Sequence, residues 1–274
     1  MLARILLINL VLYIISFGQS WHRSNPVIPK VELFHSNYAL VLPTAEIQSK
    51  GNFLFEVSHR FIPPISGNKK NILGLDGPAN IRFALGYGIT EKMMINIAKS
   101  NATDNIELQL RNEIKTYQYD KVPIKITNQI GIAFNNETYD PIENDLRKWQ
   151  FYDQLILNTL INKRFGIGVV PSYLYNSYIY CTDFQYTFAI GSYLQYYFTD
   201  AFSLLMEFTP TVMGWRKDYN SAAMALEFET GGHFFKLCLT NNTKMNLSQY
   251  LAGANTDLSK IREWHIGFFI TRTF

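Results

Sequence analysis

Charge is scarce in this chain: 17% of its 274 residues are Asp, Glu, Lys or Arg, against about 25% in soluble domains. The net charge of +3 is small and evenly spread, which excludes the clustered basic face that a nucleic-acid partner needs. Cysteine is scarcer still. Cys181 and Cys238 have neither the spacing of a zinc site nor the density of a disulfide scaffold, so two isolated thiols are expected. Beyond the N-terminal leader no stretch approaches the roughly 18 consecutive apolar residues of a spanning helix. If the mature chain crosses a membrane, it does so as strands. There is no GxSxG motif, and the Gly-rich turns are not followed by a helix that could cradle a phosphate.

What is present is aromatic and alternating. Tyr (17) and Phe (20) raise the aromatic share to 15%, which favours strands and apolar surroundings. Residues 1–20 carry one early Arg, the apolar run ILLINLVLYIISF and then Gly18-Gln19-Ser20, the pattern of a cleaved signal peptide. Residues 21–50, with Pro26, Pro29 and Pro43, read as an extended lead-in that lies in the periplasm or folds into a lumen.

From residue 51 to 274 the pattern has period 2. The hairpin over 183–215 shows it most plainly. Phe184, Tyr186, Phe188, Ile190, Leu194, Tyr196 and Phe198 share one parity and Gln185, Thr187, Ala189, Gly191 and Gln195 the other, and the alternation resumes after the turn at Thr199-Asp200. A helix would scatter these apolar residues around its circumference. About twelve such strands are expected. Short turns near residues 90, 120, 164, 200 and 231 alternate with longer connections at 61–78, 100–105, 135–148, 176–182, 215–220 and 241–261. Even strand number, short turns at one end and long loops at the other describe a transmembrane β-barrel.

Three features turn the apolar face toward lipid. The longest strands suffice to cross an apolar band about 25 Å tall when tilted. The opposite face is rich in Gln, Glu, Arg, Lys, Gly and Ala, which suits a wet lumen. Aromatic residues gather near strand ends, as at Tyr193, Tyr196, Tyr197, Phe198 and Trp215, where membrane interfaces favour them. The last strand, WHIGFFITRTF, ends on Phe274, resembling the C-terminal aromatic signal read by the barrel insertion machinery.

SHRF (residues 58–61), GLDGPANIRFALGYGI (74–89) and ETGGHFFKL (229–237) together resemble an uncharacterised outer-membrane β-barrel family of Gram-negative bacteria, a domain of unknown function numbered in the five-thousand-seven-hundreds. The resemblance covers residues 40–274 and implies fold and outer-membrane localisation, with no activity or site residues to carry over. At Phe61-Ile62-Pro63 the chain departs from the Gly expected after HRF.

The candidate lumen-lining residues are the charges on the polar parity: Glu56, Arg60, Arg82, Glu107, Arg111, Glu113, Lys125, Glu207, Glu227, Glu229 and Lys236, with Lys115 on the same count. Rings of charge tune ion and solute passage, and mixed signs can equally pair across the lumen and close it. Two functions follow: a small passive channel or uptake barrel for hydrophilic solutes, or a closed-lumen structural or interaction barrel whose loops at 61–78, 135–148 and 241–261 bind an envelope partner. Outer-membrane lipid is the expected surroundings in both. Asp153 falls on the apolar parity, marking a bulge or an interface position. Histidines 22, 35, 59, 233 and 265 do not converge, so neither a metal nor another cofactor is expected. Ser58 and His59 are neighbours on opposite faces and cannot form a nucleophile–base pair, so no enzyme is expected.

Overall fold

Alternating apolar and polar side chains produce one closed, antiparallel wall. A computed structural model describes residues 33–66, 69–117, 119, 122–137, 146–181 and 183–274; the expected signal peptide lies outside these. The strands are β1 (Phe53–Phe61), β2 (Ala79–Thr90), β3 (Met93–Ser100), β4 (Asn105–Tyr117), β5 (Ile124–Asn135), β6 (Trp149–Ile161) and β7 (Phe165–Tyr175), followed by β8 (Tyr186–Thr199), β9 (Phe202–Thr209), β10 (Thr211–Gly214), β11 (Ser221–Glu229), β12 (His233–Thr240) and β13 (His265–Thr273). Consecutive strands pair from β1 to β9, β11 pairs with β9 and β12, β12 pairs with β13, and β1 pairs with β13 to close the ring. Segments β9 and β10 both pair with β8 and are separated by Pro210, which has no N–H to give the ladder. Counted as one broken strand, they make a twelve-stranded all-β barrel.

The wall is apolar outside and polar inside. In β1, Phe53 and Phe55 are exposed while Glu56, Ser58 and Arg60 are buried; in β2, Phe83, Leu85 and Tyr87 face out and Asn80 and Arg82 face in. The turns use backbone conformations that their residues tolerate. Gly231 and Gly232 both have positive φ, 66° and 96°, in the hairpin between β11 and β12.

Three details differ from the alternation read along the sequence. A bulge between Glu113 and Lys115 breaks the β4–β5 register, so Lys115 is exposed and belongs to the outer side. Tyr193 and Tyr197 are not part of an interfacial aromatic belt: they share the parity of Gln195 and are buried inside the barrel. Asp153 sits in unbroken β6 register opposite Ile130 and Tyr173, without a bulge. It faces outward and accepts a hydrogen bond from Asn128 Nδ2 at 2.6 Å.

Candidate functional site: a lumen filled from both ends

Residues 33–50 enter the barrel from the short-turn end. Thr44 N–H donates to Asn37 O (3.0 Å) and Ala39 N–H to Leu42 O (2.9 Å), so Asn37 to Thr44 form a tight hairpin in the middle of the lumen. From the long-loop end, residues 241–254 fold inward. A single helical turn, Leu247–Tyr250, buries Leu247, Tyr250 and Leu251. The connection at 241–261 was expected to be a partner-binding loop; its first half is instead interior, because Asn242, Asn246 and Ser248 satisfy their hydrogen bonds within the lumen. The loop at 61–78 runs back over the rim, where Ile65 and Ser66 N–H donate to Trp264 and Arg262 carbonyls. Part of the 135–148 loop lies outside the described residues.

The charged residues of the wall bind the backbones of these two inserts. Glu207 Oε2 accepts hydrogen bonds from Leu40, Val41 and Leu42 N–H, each at 3.1 Å. The tip of the hairpin thus nests on one carboxylate. Lys236 Nζ donates to the Tyr38 and Ala39 carbonyls (2.5 and 2.6 Å) and lies 3.1 Å from Glu227. Arg111 Nη1 donates to the carbonyls of Asn37 (2.8 Å) and Glu46 (2.9 Å), with its guanidinium over the Tyr38 ring. Lys125 pairs with Glu46 at 2.9 Å. On the other insert, Glu107 accepts from Leu247 and Ser248 N–H (3.2 and 2.6 Å), while Arg82 pairs with Glu56 and donates from Nε to Asn246 Oδ1 at 2.8 Å. Such charge-assisted bonds are about twice as strong as neutral ones.

The remaining candidates are peripheral to the inserts. Arg60 is buried over the Phe269 ring and donates to Cys238 Sγ. Glu113 is half-buried, 3.7 Å from Lys125. Glu229 sits at the short-turn rim, where it accepts from Gly231 and Gly232 N–H.

A second, apolar part of the inner wall was not anticipated from the sequence. Tyr152, Ile156, Val170, Leu174, Tyr193 and Leu205, on β6 to β9, share a buried cluster with Leu33, Phe34, Leu40, Val41 and Leu42 of the N-terminal insert. Glycines supply sockets: a Cβ on Gly166 would come within 2.7 Å of Phe34, and one on Gly191 within 2.6 Å of Leu42. The available signal was the inner parity itself, which in β6 to β9 carries apolar residues that a water-filled lumen would not favour.

Among the described residues the histidines stay apart; His22 lies outside them. His59 stacks on Phe268 on the outer wall, His35 packs on Tyr197, and His265 contacts Thr256. Among the described residues no cluster of His, Cys, Asp and Glu could hold a metal.

The inside-out wall defines a membrane β-barrel. The chain belongs to the family described as the membrane bound beta barrel domain (DUF5777), which it matches over residues 34–274. No curated protein matches it. Among solved structures it is similar to an outer membrane channel from Pseudomonas putida F1, at TM-score 0.52 and 10% identity over 84% of this chain and 98% of that one. It is also similar to the NanC porin, at TM-score 0.48 and 9% identity over 82% and 99%. At these identities the likeness is one of fold. A third similar barrel is outer membrane phospholipase A from Escherichia coli, at TM-score 0.43 and 13% identity over 81% and 90%. The expectation that the chain is not an enzyme is corrected by that match: barrels of this form include an enzyme, so the exclusion does not stand.

Proposed function

We propose that the protein is an outer-membrane barrel closed at rest by its own chain, which serves as a structural or interaction barrel. The observation that carries this reading is the N-terminal hairpin seated in the lumen. Five apolar side chains of the hairpin and the segment leading into it, Leu33, Phe34, Leu40, Val41 and Leu42, are buried. At about 1.5–3 kcal/mol for each such side chain, their burial opposes withdrawal by an amount on the order of 10 kcal/mol, an upper figure because the withdrawn segment retains some contacts. Thermal fluctuation alone would then open the lumen rarely.

A second reading has its own support. The polar half of the wall would be hydrated once the hairpin left, so an outer-membrane channel for small hydrophilic solutes, opened by a pull on residues preceding 33, is compatible with the same geometry. Planar-bilayer recording tests both: silence of the intact protein is expected on either reading, and silence after both inserts are removed would leave only the structural one. The intact folded protein is expected to be silent, and a variant lacking both residues 33–50 and the interior stretch 243–253 to conduct. Steady conductance from the intact protein would overturn closure at rest. In the channel reading, Arg82 and Arg111 are the substitutions expected to change ion selectivity.

Export by residues 1–20 and insertion through the barrel machinery belong to the same proposal. Phe274 supports it from the wall's closing strand, where it exchanges hydrogen bonds with Phe53 (Phe274 N–H to Phe53 O at 2.9 Å and Phe53 N–H to Phe274 O at 3.2 Å). Phe274→Ser should lower the yield of heat-modifiable, membrane-inserted barrel; an unchanged yield would remove the insertion role.

A further inference from the structure

The loop between β1 and β2 overhangs the outer wall at the long-loop end. Ile65 and Ser66 are tied by their N–H groups to the Trp264 and Arg262 carbonyls at 2.9 and 2.7 Å, which carries the loop across the top of β13. Between the loop and the wall runs an open groove of about 910 Å³, within the roughly 300–1,000 Å³ of small-molecule sites. Leu73 and Leu75 form its loop side, and Met224, Leu226, Leu237 and Leu239 of β11 and β12 form its wall side. Leu226 and Leu237 are exposed on the outward parity, so in the membrane the groove opens onto hydrocarbon.

Among the described residues that line the groove, Arg262 alone is charged. Its guanidinium has no hydrogen-bond or ion-pair partner among the described residues, and the adjacent Glu263 lies 3.6 Å from Lys260 instead. The overhanging loop brings no acid: residues 62–75 read IPPISGNKKNILGL, with two lysines and neither Asp nor Glu. The acidic stretch at 138–145 joins β5 and β6, which lie across the ring from β12. The unmet charge at the groove is therefore positive.

Arg262 belongs to the turn that enters β13, at the end of the groove nearest the membrane surface, while Leu226 and Leu237 lie further down the wall. A cation at the surface above an apolar trough matches the two parts of a lipid. The loop side is held under strain: Ile72 and Leu73 have φ of 40° and 59°, left-handed conformations disfavoured for bulky and β-branched residues. Both side chains are nonetheless exposed. Backbone strain of this kind clusters at ligand clamps, and here it accompanies a leucine that lines the groove. We infer that the groove holds one acyl chain of an anionic phospholipid, with the lipid phosphate on Arg262. A lipid fits where a peptide would not, because the groove lies on the face that hydrocarbon covers and its charge sits at headgroup level.

The inference does not depend on whether the lumen conducts, and its test is native mass spectrometry of the full-length protein in detergent. Phosphatidylglycerol and phosphatidylcholine with identical chains are the probes. A single phosphatidylglycerol should stay bound to each barrel, and phosphatidylcholine, whose choline offsets its phosphate, should bind about tenfold more weakly, as expected for one charge-assisted hydrogen bond. Arg262→Gln should bring phosphatidylglycerol down to the level of phosphatidylcholine. Leu226→Trp, which fills the trough, should displace both lipids, whereas Ile97→Trp, on the exposed outer face of β3, should displace neither. Heat-modifiable migration of every variant monitors the fold. No lipid retained by the parent, equal retention of the two lipids, parent-like retention in Arg262→Gln, or equal losses in the two Trp variants would each overturn the proposal.

Discussion

The two halves of the inner wall hold the same insert by different means. On β4, β5, β9 and β12, Arg111, Lys125, Glu207 and Lys236 reach the N-terminal hairpin, mostly at its main-chain carbonyls and N–H groups. On β6 to β9, Gly166, Ile156, Val170, Gly191 and Leu205 meet its side chains. A backbone contact is indifferent to which residue supplies it, so the charged half places the hairpin without reading its sequence. The apolar half reads size and shape. Charge fixes where the chain runs, and the glycine sockets select which residues run there.

The strongest test of that division is removal of a charge. Lys236→Met deletes the donor to Tyr38 O and Ala39 O and leaves Glu227 buried beside Gln195 and Ser203 without its cation. Breaking a buried pair from one side costs about 3–5 kcal/mol, so the denaturation midpoint should fall sharply and residues 33–50 should become open to protease. The paired change Lys236→Met with Glu227→Leu should recover much of the loss. If the single variant is as stable and as protected as the parent, the charged half does not anchor the hairpin.

The apolar half is tested by overfilling. Gly191→Val would place Cβ within 2.6 Å of Leu42 Cδ1, and forcing extra atoms into a packed core costs about 1–3 kcal/mol. The loss should be relieved by Leu42→Ala in the same chain, which makes room for the added side chain. A double-mutant cycle showing simple additivity would mean that the two residues are not packed as described.

Much of the wall was legible in the sequence because strand alternation is local. Phe53, Phe83 and Leu108 share the outward parity that their exposure shows, and Glu56, Arg82 and Glu107 share the inward one. The inserts were not legible, since their bonds join residues far apart in the chain, as in Leu40 to Glu207 and Ser248 to Glu107. A bulge shifts parity without any marker in composition, which is why Lys115 seemed to line the lumen and does not. The aromatic side chains of Tyr193 and Tyr197 suggested a membrane interface by residue type, while their parity with Gln195 pointed inward. Where the two signals conflict, parity decides, because a pleated strand cannot turn one side chain to the other face without a bulge.

The smallest expected effect concerns the outer surface, where nothing resembling either half of the lumen should be needed. Asp153 lies there among apolar neighbours, bonded to Asn128, next to the stretch where β6–β7 pairing is recorded at Gln154↔Ser172 and resumes at Leu157↔Val169. An acidic side chain on the lipid face is costly, though less so than Arg or Lys and less near the interface than at midplane. Because Asp153 faces outward, Asp153→Leu should raise stability by about 1 kcal/mol and leave protection of residues 33–50 unchanged. A loss of stability instead would mean that the hydrogen bond from Asn128 outweighs the cost of a carboxylate on the lipid face.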